Sequence, residues 1–186
     1  MSQGQLRILA GSLRGRRLYV APGIRPTGGR VREALFNLWR EQVEGSRFLD
    51  LFAGTGAVAL EAVSRGARQA TCVEKDPQVL AILRKNCRQL APQVTAAVRG
   101  RLPETPQHLP EEAYDLIFAD PPYRFTGHGE LLAAALPWLA SGGEMAIEHS
   151  ARLTLEPAAG WTRHDERRYG ESCLTFFRRE ETASDG

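Results

Sequence analysis

The stretch Asp50-Leu51-Phe52-Ala53-Gly54-Thr55-Gly56-Ala57-Val58-Ala59 constrains this chain more than any other. It sets a GxGxxA loop directly after an apolar, strand-like run and directly before an alanine-rich, helix-like one. That is the context in which a glycine loop receives a nucleotide-like ligand. Gly54 and Gly56 let the backbone turn sharply and approach the ligand, and small Ala59 lets the helix pack close on a sheet. Glu74 ends the next predicted strand, where a carboxylate can accept both hydroxyls of a ribose. NAD and S-adenosylmethionine can both be held on such a frame. Asp50, upstream of the turn with Phe52 between it and Gly54 in DxFxGxG, favours S-adenosylmethionine, whose charged amino-acid end suits a carboxylate better than a pyrophosphate does.

The flanking sequence alternates. Residues 47–52, 70–74, 94–98, 114–119 and 143–149 read as strands, the second of them followed by Asp76 as a helix N-cap and Pro77 at the first helical position. Helical spacing covers residues 31–42, the run after Gly56, residues 77–90 and residues 130–139. Residues 161–169 and 172–178 around Gly170 read as a hairpin, and residues 5–20 as short strands joined by a turn. The expected fold is α/β and Rossmann-like, with a mostly parallel seven-stranded sheet, a C-terminal antiparallel hairpin and a small basic N-terminal extension. At 186 residues the chain has the length of one domain.

A second motif decides between the cofactors. Leu116-Ile117-Phe118-Ala119 reads as a buried strand that runs into Asp120-Pro121-Pro122-Tyr123, and in open α/β sheets ligands lie beyond the carboxyl ends of the strands. The exocyclic amine of a base is a poor nucleophile because its lone pair is delocalised into the ring. Accepting its hydrogens with the Asp120 carboxylate and a backbone carbonyl of Asp120 or Pro121 draws the nitrogen toward tetrahedral geometry and frees that pair for attack on a sulfonium methyl. Two prolines hold the acceptors in place, and Tyr123 offers a flat face for an extruded base.

Charge adds a partner. The net charge is only +2, yet residues 1–32 hold seven arginines (Arg7, Arg14, Arg16, Arg17, Arg25, Arg30, Arg32) and no acid, so this segment carries +7 and the remainder −5. Such clustering is the footprint of a phosphate-binding surface.

Taken together, Gly11-Ser12-Leu13-Arg14-Gly15-Arg16, Arg25-Pro26-Thr27, Arg30-Val31-Arg32-Glu33-Ala34-Leu35-Phe36-Asn37, the glycine motif with Leu60-Glu61-Ala62, Ser64-Arg65-Gly66-Ala67, Glu74-Lys75-Asp76 and Asp120 to Tyr123 resemble the RsmD family of bacterial methyltransferases. The resemblance spans roughly residues 5–178. It implies methylation of the exocyclic N2 amine of a guanine in 16S ribosomal RNA, with Asp50, Phe52, Gly54, Gly56 and Glu74 holding S-adenosylmethionine. Asp120, Pro121, Pro122 and Tyr123 would hold the target amine, and Arg14, Arg16, Arg17, Arg25, Arg30 and Arg32 the RNA, free or within a small-subunit assembly particle. Residues 1–30 would then be an RNA-contacting extension, 31–179 the methyltransferase domain and 180–186 a polar tail. Two positions depart from the family pattern. Gly29 stands where an aspartate is usual, and Arg99-Gly100-Arg101 occupies the place of an adenine-binding Asp or Asn, so no side chain is assigned to the adenine.

Other classes fit less well. Methylation of a DNA base or a protein glutamine, a ribosome assembly factor without catalysis, and an NAD-dependent oxidoreductase remain as rivals. Cys72, Cys87 and Cys173 lack CxxC spacing and read as reduced thiols, and His108, His128, His149 and His164 lie far apart, so neither a disulfide framework nor a metal is expected. The arginines near the N-terminus interrupt any signal-peptide core, and no apolar run approaches the ~20 residues of a membrane span. The expected location is the cytoplasm.

Overall fold

The computed structural model describes residues 6–21, 23, 27–103, 109–111 and 113–180. Arg25 and the tail from residue 181 onward lie outside the described residues. Along the chain come α1 (Gly29–Leu38), β1 (Arg47–Asp50), α2 (Ala57–Ser64), β2 (Gln69–Glu74), α3 (Pro77–Leu90), β3 (Thr95–Arg99) and β4 (Tyr114–Ala119). They are followed by α4 (His128–Ala135), a 3₁₀ turn at Leu136–Trp138, β5 (Leu139–Ser150), β6 (Trp161–Tyr169) and β7 (Ser172–Arg179). One seven-stranded sheet results, in the order β3-β2-β1-β4-β5-β7-β6. Strands β1 to β5 pair in parallel, and β7 runs antiparallel between β5 and β6.

Successive residues of the central strands feed opposite faces, as a pleated strand requires. Phe48, Cys72, Phe118 and Phe176 pack with Leu35, Phe36, Leu80 and Leu83 of α1 and α3. Leu49, Val73, Ile117 and Phe177 pack with Leu131 and Leu132 of α4 on the other side. A third cluster joins Ile8 and Leu18 of the N-terminal segment to Ala57 and Leu60 of α2 and to Leu90. Helix α2 is therefore covered on both sides, which explains why it is apolar nearly all round.

Several local expectations shift. Helix α1 begins without a side-chain cap, because Gly28 is its N-cap residue, and with no acid in its first turn, where Gly29 stands; it ends at Leu38 instead of running to Gln42. Helix α4 stops at Ala135, because Pro137 cannot donate the next hydrogen bond and the chain tightens into the 3₁₀ turn. In contrast, α3 has the start that the sequence indicates, with Asp76 accepting from the amides of Gln78 at 2.8 Å and Val79 at 3.1 Å.

Residues 6–21 do not form strands. A single bridge joins Arg7 and Arg17, and the turn between them is closed by Ile8 N–H to Arg16 C=O at 3.0 Å and Gly15 N–H to Ile8 C=O at 2.9 Å. Further bonds tie the segment to the helices: the Ser12 amide donates to the Ser64 carbonyl at 2.7 Å, and side chains of α2 and α3 take other backbone groups. Glu61 accepts from the amides of Leu9 and Ala10 at 2.8 and 2.9 Å, and Ser64 accepts from Leu13 at 2.9 Å. At Gly11, with φ +79°, a Cβ would lie 1.7 Å from the Ser64 carbonyl oxygen, so this arm sits flush on the end of α2. No helix among the described residues is long and apolar enough to cross a membrane.

Candidate active site

A cavity of about 960 Å³ opens at the carboxyl ends of β1, β2 and β4. Because the strands are parallel and in register, their next residues converge there: Asp50 closes β1, Glu74 closes β2 and Asp120 follows β4. All three line the cavity, together with Phe52, Gly54, Pro121, Pro122 and Tyr123. The sequence assigned these eight residues to the site, and the fold brings them together. Arg30 reaches the same rim.

Gly56 is a correction. It does not line the cavity; its α-carbon backs onto α3, where a Cβ would come within 2.5 Å of Leu83 Cδ1. Its φ of +84° makes the turn into α2, so it shapes the loop from behind. Arg32 is the second correction. It is only 2% exposed and donates to the Arg7 carbonyl at 3.0 Å, under the arm and beside Glu61. Burial pulls its guanidinium below its ordinary value, with Glu61 opposing the shift. Arg32 thus secures the arm from beneath and presents no charge to a phosphate. Arg14, Arg16 and Arg17 are exposed on the arm, outside the cavity.

The cavity floor is acidic. Asp50 is 1% exposed, and burial first, then the neighbouring Asp120, push its carboxyl up to about 8. The amides of Ala59 and Phe52 lie near enough to favour the carboxylate, yet neither is aligned to make a regular hydrogen bond to its oxygens. A carboxyl so buried keeps its proton unless a cation is brought to it. Glu74 is already engaged: its oxygens accept from the Gly54 amide at 3.0 Å and the Asp76 amide at 2.8 Å. Each carboxylate oxygen has a further lone pair, so a ribose can still be bound while the same side chain fixes the glycine loop.

Two features were not read from the sequence. Thr27 donates its hydroxyl to Asp120 Oδ2 at 2.8 Å, fixing the plane of that carboxylate from the segment between arm and α1. His149, near the end of β5, lies in the cavity wall with Nε2 2.7 Å from Thr175 Oγ1 and Nδ1 3.0 Å from the Ser150 carbonyl. Burial lowers its pKa. The signal that points to His149 is its place at the carboxyl end of a central strand. Tyr123 is 61% exposed at the mouth, an open ring face.

The strand order, the glycine loop after β1 and the Asp-Pro-Pro-Tyr segment after β4 define a Rossmann-like methyltransferase fold. The chain belongs to the RsmD family: the family model described as "Conserved hypothetical protein 95" matches residues 6–178. It is 36% identical over 185 residues to ribosomal RNA small subunit methyltransferase D of Escherichia coli K12, covering 95% of this chain and 91% of that protein. The protein of the same name from Haemophilus influenzae is 33% identical over 176 residues, with 91% of each chain covered. The solved structure of yhhF from Escherichia coli superposes with a TM-score of 0.84 at 34% identity, covering 96% of this chain and all of that one.

Proposed function

We propose that this chain transfers a methyl group from S-adenosylmethionine to the exocyclic N2 amine of a guanine in small-subunit ribosomal RNA. The observation that carries the cofactor is the buried Asp50 carboxyl, raised to about 8 beside Asp120 and Glu74. Three acids around one crevice favour a ligand bearing a sulfonium and an ammonium and disfavour a dinucleotide pyrophosphate. When bound, S-adenosylmethionine supplies an electron-poor methyl group. Asp50 would hold the ammonium, Glu74 the ribose, Phe52 and Gly54 the loop face, and the backbone at Gly100 the adenine side of the cavity.

The chain's own chemistry concerns the amine. Asp120 accepts one amine hydrogen while a carbonyl of the Asp120-Pro121 segment takes the other, and Thr27 keeps the carboxylate from rotating. Fixed acceptors spare the reorganisation that mobile ones would need in the transition state. Tyr123 stacks the extruded base, and Arg14, Arg16, Arg17 and Arg30 meet the phosphates around it. The names of the relatives support ribosomal RNA as the substrate class. The decisive experiment incubates the protein with cofactor and unmodified small-subunit RNA or particles and maps the product by mass spectrometry. N2-methylguanosine at one position is expected; a methylated adenosine, or NAD binding with no response to S-adenosylmethionine, would overturn the reading.

A further inference from the structure

Asn86 of α3 is fully buried and touches both the arm and the glycine loop. Its Oδ1 accepts from the Tyr19 amide at 3.0 Å, and its Nδ2 donates to the Tyr19 carbonyl at 3.0 Å and to the Thr55 carbonyl at 2.9 Å. One N–H and two carbonyls around the amide leave it a single orientation. Thr55 stands between Gly54, whose amide Glu74 holds, and Gly56, against which Leu83 of the same helix packs. The geometry points to Asn86 as a positioning residue that couples RNA docking on the arm to cofactor binding at the loop, so that each ligand tightens the other. This rests on the reading of the arm as the RNA surface and of the loop as the cofactor cradle.

The physical route is short. RNA held by the turn at Arg14 to Arg17 restrains the peptide of Tyr19, two residues on. Asn86 then keeps both Tyr19 partners, and its remaining N–H stays aimed at Thr55. When Tyr19 leaves, Asn86 is left with one of its three hydrogen bonds, its amide turns, and the Thr55 carbonyl is deprived of its buried donor. Ordering the loop costs free energy once, borne by whichever ligand binds first, and the second ligand meets an ordered site. Linkage requires the enhancement to be equal in both directions.

The test measures the affinity of the full chain for S-adenosylhomocysteine with and without saturating unmodified small-subunit RNA, and amide exchange at Thr55 and Gly56. In the wild type, RNA should tighten S-adenosylhomocysteine binding about tenfold and slow exchange in the loop. Asn86→Asp keeps the acceptor for Tyr19 but removes both donors, and should bring the ratio close to one. Tyr19→Pro removes the arm's amide donor together with the ring over which Lys85 Nζ of α3 lies, 3.6 Å from its centroid, and decides the matter if the Asn86 variant does not fold. It too should lose the coupling, whereas Tyr19→Ala, which keeps the amide, should retain it. A wild-type ratio of one with RNA bound, or a Tyr19→Pro protein with the wild-type ratio, overturns the coupling alone. Wild-type protein that binds S-adenosylhomocysteine but no RNA overturns the RNA reading, and the coupling with it.

Discussion

The crevice and the arm are held in place by different means. Asp50, Glu74 and Asp120 are positioned by the parallel ladder of β1, β2 and β4, so the main chain sets their spacing. The arm has one bridge of its own, and its backbone is anchored by polar side chains from outside it, Arg32, Glu61, Ser64 and Asn86. A site set by backbone pairing stays in place when a side chain is removed, whereas an arm set by side chains moves. The comparison breaks first at Glu61, which is fully buried, accepts two arm amides and pairs with Arg65 at 3.0 Å. Glu61→Ala leaves those amides without their acceptor, Arg65 without its ion-pair partner and the buried Arg32 without the nearby negative charge, and should cost about 3–5 kcal/mol of stability, read from urea or thermal melts. A variant as stable as wild type would show that the arm is held elsewhere.

At the crevice the largest effect should fall on chemistry and spare the fold. Asp120→Ala removes an acceptor at the reacting amine, and single-turnover methyl transfer should slow by ~100-fold or more with cofactor affinity nearly intact. An unchanged rate would take Asp120 out of the role assigned to it. Thr27→Val keeps the carboxylate but removes the hydroxyl that it accepts from, so a smaller drop in rate with unchanged cofactor affinity is expected.

The same contrast explains what could be read from the sequence. The crevice was legible because its signals are local: apolar strands, a glycine loop, Asp76 and Pro77 at a helix start, and acids at strand ends. The arm was legible only as charge. Its arginines look alike in sequence, yet Arg32 turns under the arm because it lies on α1 beside Val31 and Leu35, on the face that packs inward. Glu61, Ser64 and Asn86 lie more than 50 residues from their partners in the chain, and no periodicity links Leu9 to Glu61 or Tyr19 to Asn86. One hint was present. An α2 with apolar residues on every side must be covered on every side, and the sheet can cover only one.

Asp50 sharpens the comparison through pH. Its carboxyl stands near 8 in the folded protein against an ordinary 3.8. Below the lower value both folded and unfolded chains carry the proton. Between the two values only the folded chain keeps it, so the stability of the cofactor-free protein should fall as pH rises from about 4 to about 8 and then level off. Asp50→Asn should flatten that decline, measured by melting temperature against pH. A cationic ligand draws the proton off, so affinity for S-adenosylmethionine should rise by up to ~tenfold per pH unit below 8. It should then turn over as the ligand's own ammonium deprotonates around 7.7–8.0. Binding that releases no proton at pH 7, by calorimetry in two buffers, would remove Asp50 from the ammonium site.

The smallest effect separates the arginines from one another. Arg14, Arg16 and Arg17 are exposed, and Arg32 is 2% exposed beneath them. Changing the three exposed residues together to glutamine should weaken RNA binding and flatten its dependence on salt, by roughly 0.7 to 0.9 in slope for each phosphate that is no longer neutralised. Cofactor affinity measured without RNA should hold, because no exposed arginine of this set lines the crevice. Arg32→Gln should do the reverse, lowering the melting temperature while leaving the salt slope of the folded protein unchanged, since its guanidinium meets the Arg7 carbonyl and no solvent. The two variants remove the same kind of charge from the same segment, so net charge alone cannot explain a difference between them. If the triple variant folds and keeps the full salt slope, the exposed face of the arm is only solvated. If Arg32→Gln lowers the slope by the equivalent of a whole phosphate, then the arm lifts from α2 when RNA arrives and Arg32 becomes one of its ligands.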